Sequence, residues 1–349
     1  MLKHWWKILG VLLLLFAFIV GLLTPLRPGI NSISPSKAEF GSELEILVSG
    51  YNLELQSANP PDMILWIDGD HIVNANAVQI EGDRQIRAKF SIPKSIPEAG
   101  LKEIKVSLSD EINGFVTALP RLQMNGGEAN PSLAAQQWSG SVEVLEQKSG
   151  FNFPFLPNVY ESVRNTFYHV ALWFAMFTLF TLGVISSIRY LIQKNPEHEY
   201  RAVSFTSVGM LFGILGLITG AIWAQYTWNK AWSWDIKQTM TAIVLLIYGA
   251  FFVLRISFED ADQKARISAV YNIFAFSTII PLLYVIPRLT ESLHPGGQGN
   301  PAFGRGDLDN SIRMVFYPAI IGWILLGLWL SNLNFRLIKI KERILENED

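Results

Sequence analysis

The chain contains no cysteine. That excludes disulfides, thiol nucleophiles, zinc–thiolate centres and thioether attachment of a cofactor to the chain itself. Charge is also sparse: 17% of the 349 residues are Asp, Glu, Lys or Arg, and the formal net charge is −2. No basic excess points to nucleic acid. Histidine is nearly absent, with His4, His71, His169, His198 and His294 as the whole supply of soft nitrogen ligands. No hydrolase triad or nucleotide fingerprint occurs, and the Gly-rich "HPGGQGNPAFGRGD" lacks the strand-to-helix setting of a phosphate loop. The acidic run "EDAD" at 259–262 reads as a solvated loop.

What the chain does have is apolar length. Half of its residues are hydrophobic, and six stretches, at 7–25, 166–188, 202–223, 239–255, 267–287 and 314–332, are long enough to cross a hydrocarbon core. Such a crossing needs about 20 residues as helix. The first stretch is longer than a secretory h-region, and "LLTPLRPG" offers no small-residue cleavage site, so it reads as a retained helix. With the N-terminus inside, the inner connections carry Lys3, Lys7, Arg189, Lys194, Arg201, Arg255, Lys264, Arg266, Arg336, Lys339, Lys341 and Arg343. The outer short segments carry Arg164, Lys230, Lys237, Arg288, Arg305 and Arg313. This bias predicts a multi-pass membrane protein with both termini cytoplasmic and residues 26–160 outside.

Residues 26–160 have a different texture. Short alternating runs such as "ELEILVS", "RQIRAKFSI" and "EIKVSLS" are separated by Gly, Pro, Asn and Asp, which predicts a small all-β sandwich. The opening "GINSISPSKAEFGSELEILVSGYNL" resembles an IPT/TIG immunoglobulin-like domain. There a Pro-containing turn precedes a Gly, and the following strand ends in a Gly-aromatic/Asn pair. The expected sandwich covers 26–124. The stretch "MNGGEANPSLAAQQWSGS" reads as a loose tether within a linker at 125–160. A five-helix membrane domain at 161–335 and a cytoplasmic tail at 336–349 complete the expected plan.

The densest aromatic feature is "WAQYTWNKAWSWDIKQT" at 223–239. It holds four of the chain's eleven tryptophans, Trp223, Trp228, Trp232 and Trp234, with Asp235 following the last. A tryptophan at a helix end is ordinarily an interfacial anchor, yet four in one loop exceed what a belt requires. His169 and His294, far apart in sequence, are predicted on the same outer side. Two imidazoles and flat aromatic rings suit a planar iron macrocycle. The outer cations Arg164, Lys230, Lys237, Arg288 and Arg313 run against the positive-inside bias and are candidates for pairing its propionates. The glycines at 209, 213, 216 and 220 form small-xxx-small faces, read as helix packing.

The tryptophan-rich stretch resembles the WWD signature of the haem-handling proteins of cytochrome c biogenesis. "YHVALW" and "LLYVIPRLTESLHPGG" are similar to the two histidine regions of the CcmC branch, which has six helices with the signature between the third and fourth. The resemblance covers the first helix and residues 160–335. It implies His169 and His294 as axial ligands of non-covalent haem b, and Trp223, Trp228, Trp232, Trp234 and Asp235 as a haem platform. It further implies delivery to a CcmE-type periplasmic haem chaperone, with a CcmA/CcmB ABC-type complex and a small CcmD helix as partners. The implied role is relay rather than catalysis. Ala224 and Asn229 stand where glycine is common in the family, Ala231 replaces an aromatic, Lys237 a frequent arginine, and Ala171 a usual proline. The β-domain between the first two helices is an insertion relative to compact members.

Two other readings stand beside the relay. "WSWDIKQT" is close to the "WSWDPKET" of CcsA-type cytochrome c synthases, an enzymatic role, although that branch carries more helices or more external histidines. An adaptor anchored by its helices, with the β-domain binding a partner, would need neither histidine.

Overall fold

A computed structural model describes residues 4–56, 59–145, 150–156, 159–294 and 308–348. Lys3, Arg305 and the whole Gly-rich stretch after His294, 295–307, lie outside the described residues. The chain divides into two compact units, Met1–Thr24 with Glu161–Asp349, and Pro25–Tyr160.

The first unit is helical. Among the described residues six segments have the length and hydropathy of membrane spans: Trp5–Leu23, Tyr160–Gln193, Pro196–Trp228, Ile236–Ile256, Ala261–Leu289 and Asn310–Ile344. They correspond one for one to the six apolar stretches of the sequence, and the protein is a multi-pass membrane protein. Helix α1 (Trp5–Leu23) carries no acidic residue to cap or charge its first turn. Its stability comes from lipid-facing apolar surface and from saturated backbone bonds, as an apolar solvent requires. The second unit contributes strands and a short helix, α2, described below. Helix α3 (His169–Gln193) follows a 3-10 turn at Tyr160–Phe167 and ends at Lys194, whose φ of +57° closes the helix. Asn195 then caps α4 (Pro196–Trp228), accepting from the Glu197 N–H, with Pro196 at the first position, where its missing N–H costs nothing. Helices α5 (Ile236–Ile256) and α6 (Ala261–Ile279) are capped by Asp235 and Asp260. The "EDAD" run therefore includes a helix start as well as a solvated loop.

Past Ile279 the fifth span changes pitch. A π-helical segment, Ile280–Val285, leads into α7 (Ile286–Leu289), and the segment and α7 contain Pro281 and Pro287 near their starts. A proline cannot donate to the preceding turn and crowds its carbonyl, so the ladder re-forms with wider spacing. The last helix, α8, runs over Asn310–Glu348 without a break at 335. It packs on α1 through glycines: a Cβ at Gly10 would stand 2.9 Å from Leu325 Cβ, and one at Gly322 3.0 Å from Leu14 Cγ. Between α3 and α4, Gly209 faces the Phe180 ring. Close helix contact through small residues is how helices associate where lipid is as apolar as leucine. Within this bundle the buried Asn272 amide donates to Ser187 Oγ at 3.0 Å and Thr206 Oγ1 at 3.1 Å.

The second unit is a two-sheet sandwich. Its first sheet has the order β1 (Gly29–Ser34), β3 (Glu43–Tyr51), β7 (Gln85–Ser91) and β6 (Ala77–Gly82). The second has the order β2 (Lys37–Glu39), β11 (Leu122–Asn125), β9 (Glu103–Asp110), β4 (Asp62–Trp66) and β5 (Ile72–Asn74), with β10 (Gly114–Thr117) also on β9. The period-two pattern sets the faces: Leu44, Ile46 and Val48 point inward opposite Phe90, Ala88 and Ile86. Glu45 on the outer face pairs with Arg87 and Lys89. The glycine of the IPT/TIG-like opening, Gly41, has φ +84°, a backbone that Cβ-bearing residues rarely adopt. Asn52, at φ +52°, uses its amide to bind the Leu26 carbonyl.

The tether expected at 125–160 is not loose where it is described. Strand β12 (Glu128–Ala129) pairs with β8 (Ser95–Ile96), and α2 (Pro131–Gln137) is capped by Asn130. Trp138 is fully buried in the sandwich core and donates its indole N–H to the Ser95 carbonyl at 2.8 Å. "GG" and "NP" act here as turn and cap signals rather than linker composition: Gly126 and Gly127 have φ of +74° and +94°. Phe153, also buried, exchanges backbone bonds with Pro25 and Arg27, closing the unit where it begins.

Candidate functional site

The site assembles on one face of α4. Gly216, Gly220 and Trp223 are spaced four and three residues apart, so they stack along that face. Gly220 seats His169: a Cβ there would stand 2.6 Å from the imidazole Cε1. Gly216 seats Trp173, with a would-be Cβ 2.9 Å from the indole Cε2. Two of the four glycines read as packing residues therefore also make room for a histidine and the indole one turn beyond it.

His169 opens α3, and its ring is held by α4. Nδ1 lies 2.9 Å from the Gly216 carbonyl and 3.2 Å from Thr219 Oγ1. A carbonyl can only accept, so Nδ1 carries the proton and Nε2 presents its lone pair. The Trp173 indole N–H meets that lone pair at 3.3 Å.

His294 reaches the same region from the segment after α7. Its Nδ1 stands 2.8 Å from Asp235 Oδ1, again placing the proton on Nδ1 and leaving Nε2 as the lone-pair nitrogen. The Asp235 carboxylate also accepts from Ser292 Oγ at 2.9 Å, from the Leu293 N–H at 2.7 Å and from the Lys237 N–H at 2.9 Å. Burial pushes this carboxyl up, but the His294 bond and the Leu293 and Lys237 backbone bonds outweigh it and hold Asp235 well below the usual carboxylate range. Its side chain is 2% exposed. The aspartate of the signature is thus not part of an aromatic surface: it caps α5 and anchors the His294 segment.

The tryptophans form two edge-to-face pairs. Trp223 and Trp228, with centroids 4.8 Å apart at 73°, both pack against the His294 ring, at 5.7 and 4.6 Å. Trp232 and Trp234 make a second pair at 5.8 Å and 88°, with Trp234 76% exposed. Such angles set the indoles as walls to one another rather than in one plane. Trp223 is steadied by donating to Ser162 Oγ at 3.1 Å. Asn229 takes φ +58° just past α4, the left-handed position in which asparagine is the next choice after glycine. Trp234 shares that conformation at φ +58°, an uncommon one for a bulky residue.

The candidate cations separate. Arg164 is committed elsewhere: its guanidinium donates to the Gly21 and Thr24 carbonyls at 2.8 and 2.6 Å, capping the end of α1, and pairs with Glu161. Lys237 and Arg288 lie within electrostatic reach of each other, and Arg288 is exposed. Arg313 keeps a buried Nε–H that meets no acceptor among the described residues. Lys230 is exposed. His71 bonds Asp68 in the β-unit, and His198 bonds Gln193 at the far end of α3 and α4. The sequence reading missed Trp173, Thr219, Ser292 and the seating role of Gly216 and Gly220. Only the four-residue spacing of His169 and Trp173 hinted at any of these.

The chain is similar to known proteins over its helical part. The family profile of CcmC, Heme exporter protein C, matches residues 150–349. The chain is 26% identical over 175 residues to a Heme exporter protein C of Paracoccus denitrificans, covering 50% of this chain and 72% of that protein. It is 29% identical over 216 residues to the Bradyrhizobium diazoefficiens protein of the same name, covering 59% and 80%. A cytochrome c biogenesis protein CcsA of Prochlorococcus marinus is 35% identical over 124 residues, but the match spans 33% of this chain and 37% of that one. On the extent of the profile match and the helices it covers, the chain belongs to the CcmC family.

Proposed function

We propose that this protein binds haem between His169 and His294 at the outer face of the bacterial inner membrane and relays it during c-type cytochrome biogenesis. The observation that carries the reading is the matched tautomer of the two imidazoles. Each has Nδ1 committed to an acceptor and Nε2 left as a lone pair, and both meet one face of α4 about one helical turn apart. Imidazoles oriented by a second hydrogen bond are the usual form of a histidine ligand. The residues fit non-covalent haem b in other respects. Trp223 and Trp228 flank His294, and Trp232 and Trp234 supply aromatic surface at the rim. Lys237, Arg288 and Arg313 offer charge to two propionates, and Arg313, whose buried Nε–H meets no acceptor among the described residues, is the strongest case among them. Haem is the cargo here, and the chain performs no bond-making on it.

In this reading both termini are cytoplasmic and the β-unit and haem site periplasmic. The recipient is a CcmE-type haem chaperone, with a CcmA/CcmB ABC-type complex and a CcmD helix as partners. The stretch of higher identity to CcsA proteins favours a synthase as the second reading. Against it stands the histidine supply, since only His169 and His294 of the five meet at the site.

The test is the visible spectrum of the detergent-purified protein beside His169→Ala and His294→Ala. A Soret band with sharp reduced-state bands, weakened or shifted in both variants, is expected. A wild-type protein that stays colourless when haem is supplied would sink the ligand assignment.

A further inference from the structure

We propose that Trp173 is a latch on His169, which makes His294 the first imidazole to take haem and His169 the second. The proposal rests on the reading of both histidines as haem ligands, and concerns the order in which they act.

The two Nε2 atoms are not equivalent. That of His169 already receives the Trp173 indole N–H at 3.3 Å, with the two rings perpendicular and their centroids 5.9 Å apart. An imidazole nitrogen has one in-plane lone pair, so a hydrogen-bond donor and a metal ion cannot both occupy it. Around His294, by contrast, no donor among the described residues meets Nε2, although Trp223 and Trp228 wall the ring. Ligation by His294 therefore needs no prior rearrangement. Ligation by His169 needs the indole N–H to leave.

The two rings are held differently. Trp173 fills the space over Gly216, where a Cβ would stand 2.9 Å from the indole, but the residue is only part-buried and so is not enclosed on every side. His169 is pinned independently, by the Gly216 carbonyl and Thr219 on its Nδ1 side. Swinging the indole away exposes Nε2 without turning the ring, and the Nδ1–H goes on donating to the Gly216 carbonyl throughout. No proton is taken up or released. On unloading, the indole N–H competes with iron for the same lone pair, so the His169 bond is the first to be surrendered. The cargo then leaves held by His294 alone, with one axial position open to a recipient's ligand.

The bland alternative is that the indole merely finds a partner for its own N–H in an apolar setting. The two differ in kinetics. Mixing haemin with the full-length detergent-purified protein in a stopped-flow instrument should give a high-spin species first and a low-spin species second. In Trp173→Phe, which keeps a ring but removes the N–H, the second phase should accelerate by about 3- to 10-fold, the range expected for deleting one hydrogen bond, with the first phase unchanged. The wild type supplies an independent readout: the ultraviolet resonance Raman signal of hydrogen-bonded indole N–H should fall on loading. A low-spin wild type with an unaltered indole signal overturns the latch, as does an unaltered second phase in a folded Trp173→Phe. A wild type that never becomes low-spin removes the ligand reading itself, and the latch with it.

Discussion

Asp235 and His294 are 59 residues apart in sequence and 2.8 Å apart in the fold, joined by a bond from the imidazole Nδ1–H to a carboxylate that is almost fully buried. The aspartate closes one helix start and one loop at once: it caps α5 through the Lys237 N–H and gathers Ser292, Leu293 and His294. The residue that completes the tryptophan signature thus acts on a histidine rather than on a flat aromatic surface.

Asp235→Asn keeps an acceptor for the cap but removes the charge that orients the imidazole. Loss of such an outer partner typically weakens a ligand site by about 10- to 100-fold. A haem titration followed at the Soret band should show a loss of that size, with the protein still inserted and helical. Affinity equal to wild type would mean that His294 is oriented by something else.

Gly220→Ala should damage the site while sparing the helix. The new Cβ would stand 2.6 Å from His169 Cε1, and the imidazole must shift. Gly249→Ala is the matched control, since its Cβ would meet only Met210 Cε at 3.9 Å. Reduced-state spectra should lose their bis-histidine form in the first variant and keep it in the second. Both should be produced in the membrane in similar amounts.

Arg164→Gln should cost stability rather than haem. The variant loses charged hydrogen bonds to the carbonyls ending α1, each worth roughly 1.5–3 kcal/mol. Thermal unfolding in detergent should shift downward while the Soret titration is unchanged. A specific loss of haem affinity in a protein of normal thermal stability would restore Arg164 to the propionate partners.

Trp138→Ala should loosen the β-unit alone. Truncating a fully buried tryptophan costs about 3–5 kcal/mol and strands the Ser95 carbonyl. Limited proteolysis should then cut within 125–145, a region that should stay protected in the wild type, with the haem spectrum unaltered. Equal cutting in both proteins would return that segment to the status of a linker.

Much of the architecture was legible because its causes are local. Each of the six spans announces itself as an unbroken apolar run, and the β-unit as a two-residue alternation such as "ELEILVS". Asn195–Pro196 and Asp260 mark helix starts by their own chemistry. The segment at 125–145 misled because Gly, Asn and Pro serve linkers and tight caps alike, and only the partners of Trp138 distinguish them. Arg164 misled for a similar reason. Its charge at the edge of an apolar run was visible, but the carbonyls it meets come from a helix some 140 residues earlier.

The sequence by itself determined that this is a six-span protein with an inserted β-sandwich, and that its aromatic and histidine chemistry gathers on one side. Hydropathy and backbone saturation decide those matters segment by segment, since a chain in lipid must satisfy its peptide groups within each helix. Tertiary structure alone decided which nitrogen of each histidine is left as a lone pair, that Asp235 serves His294, and that two glycines of α4 seat His169 and Trp173. Those outcomes depend on atoms from different helices meeting at about 3 Å, and hydrogen bonds act only at that range.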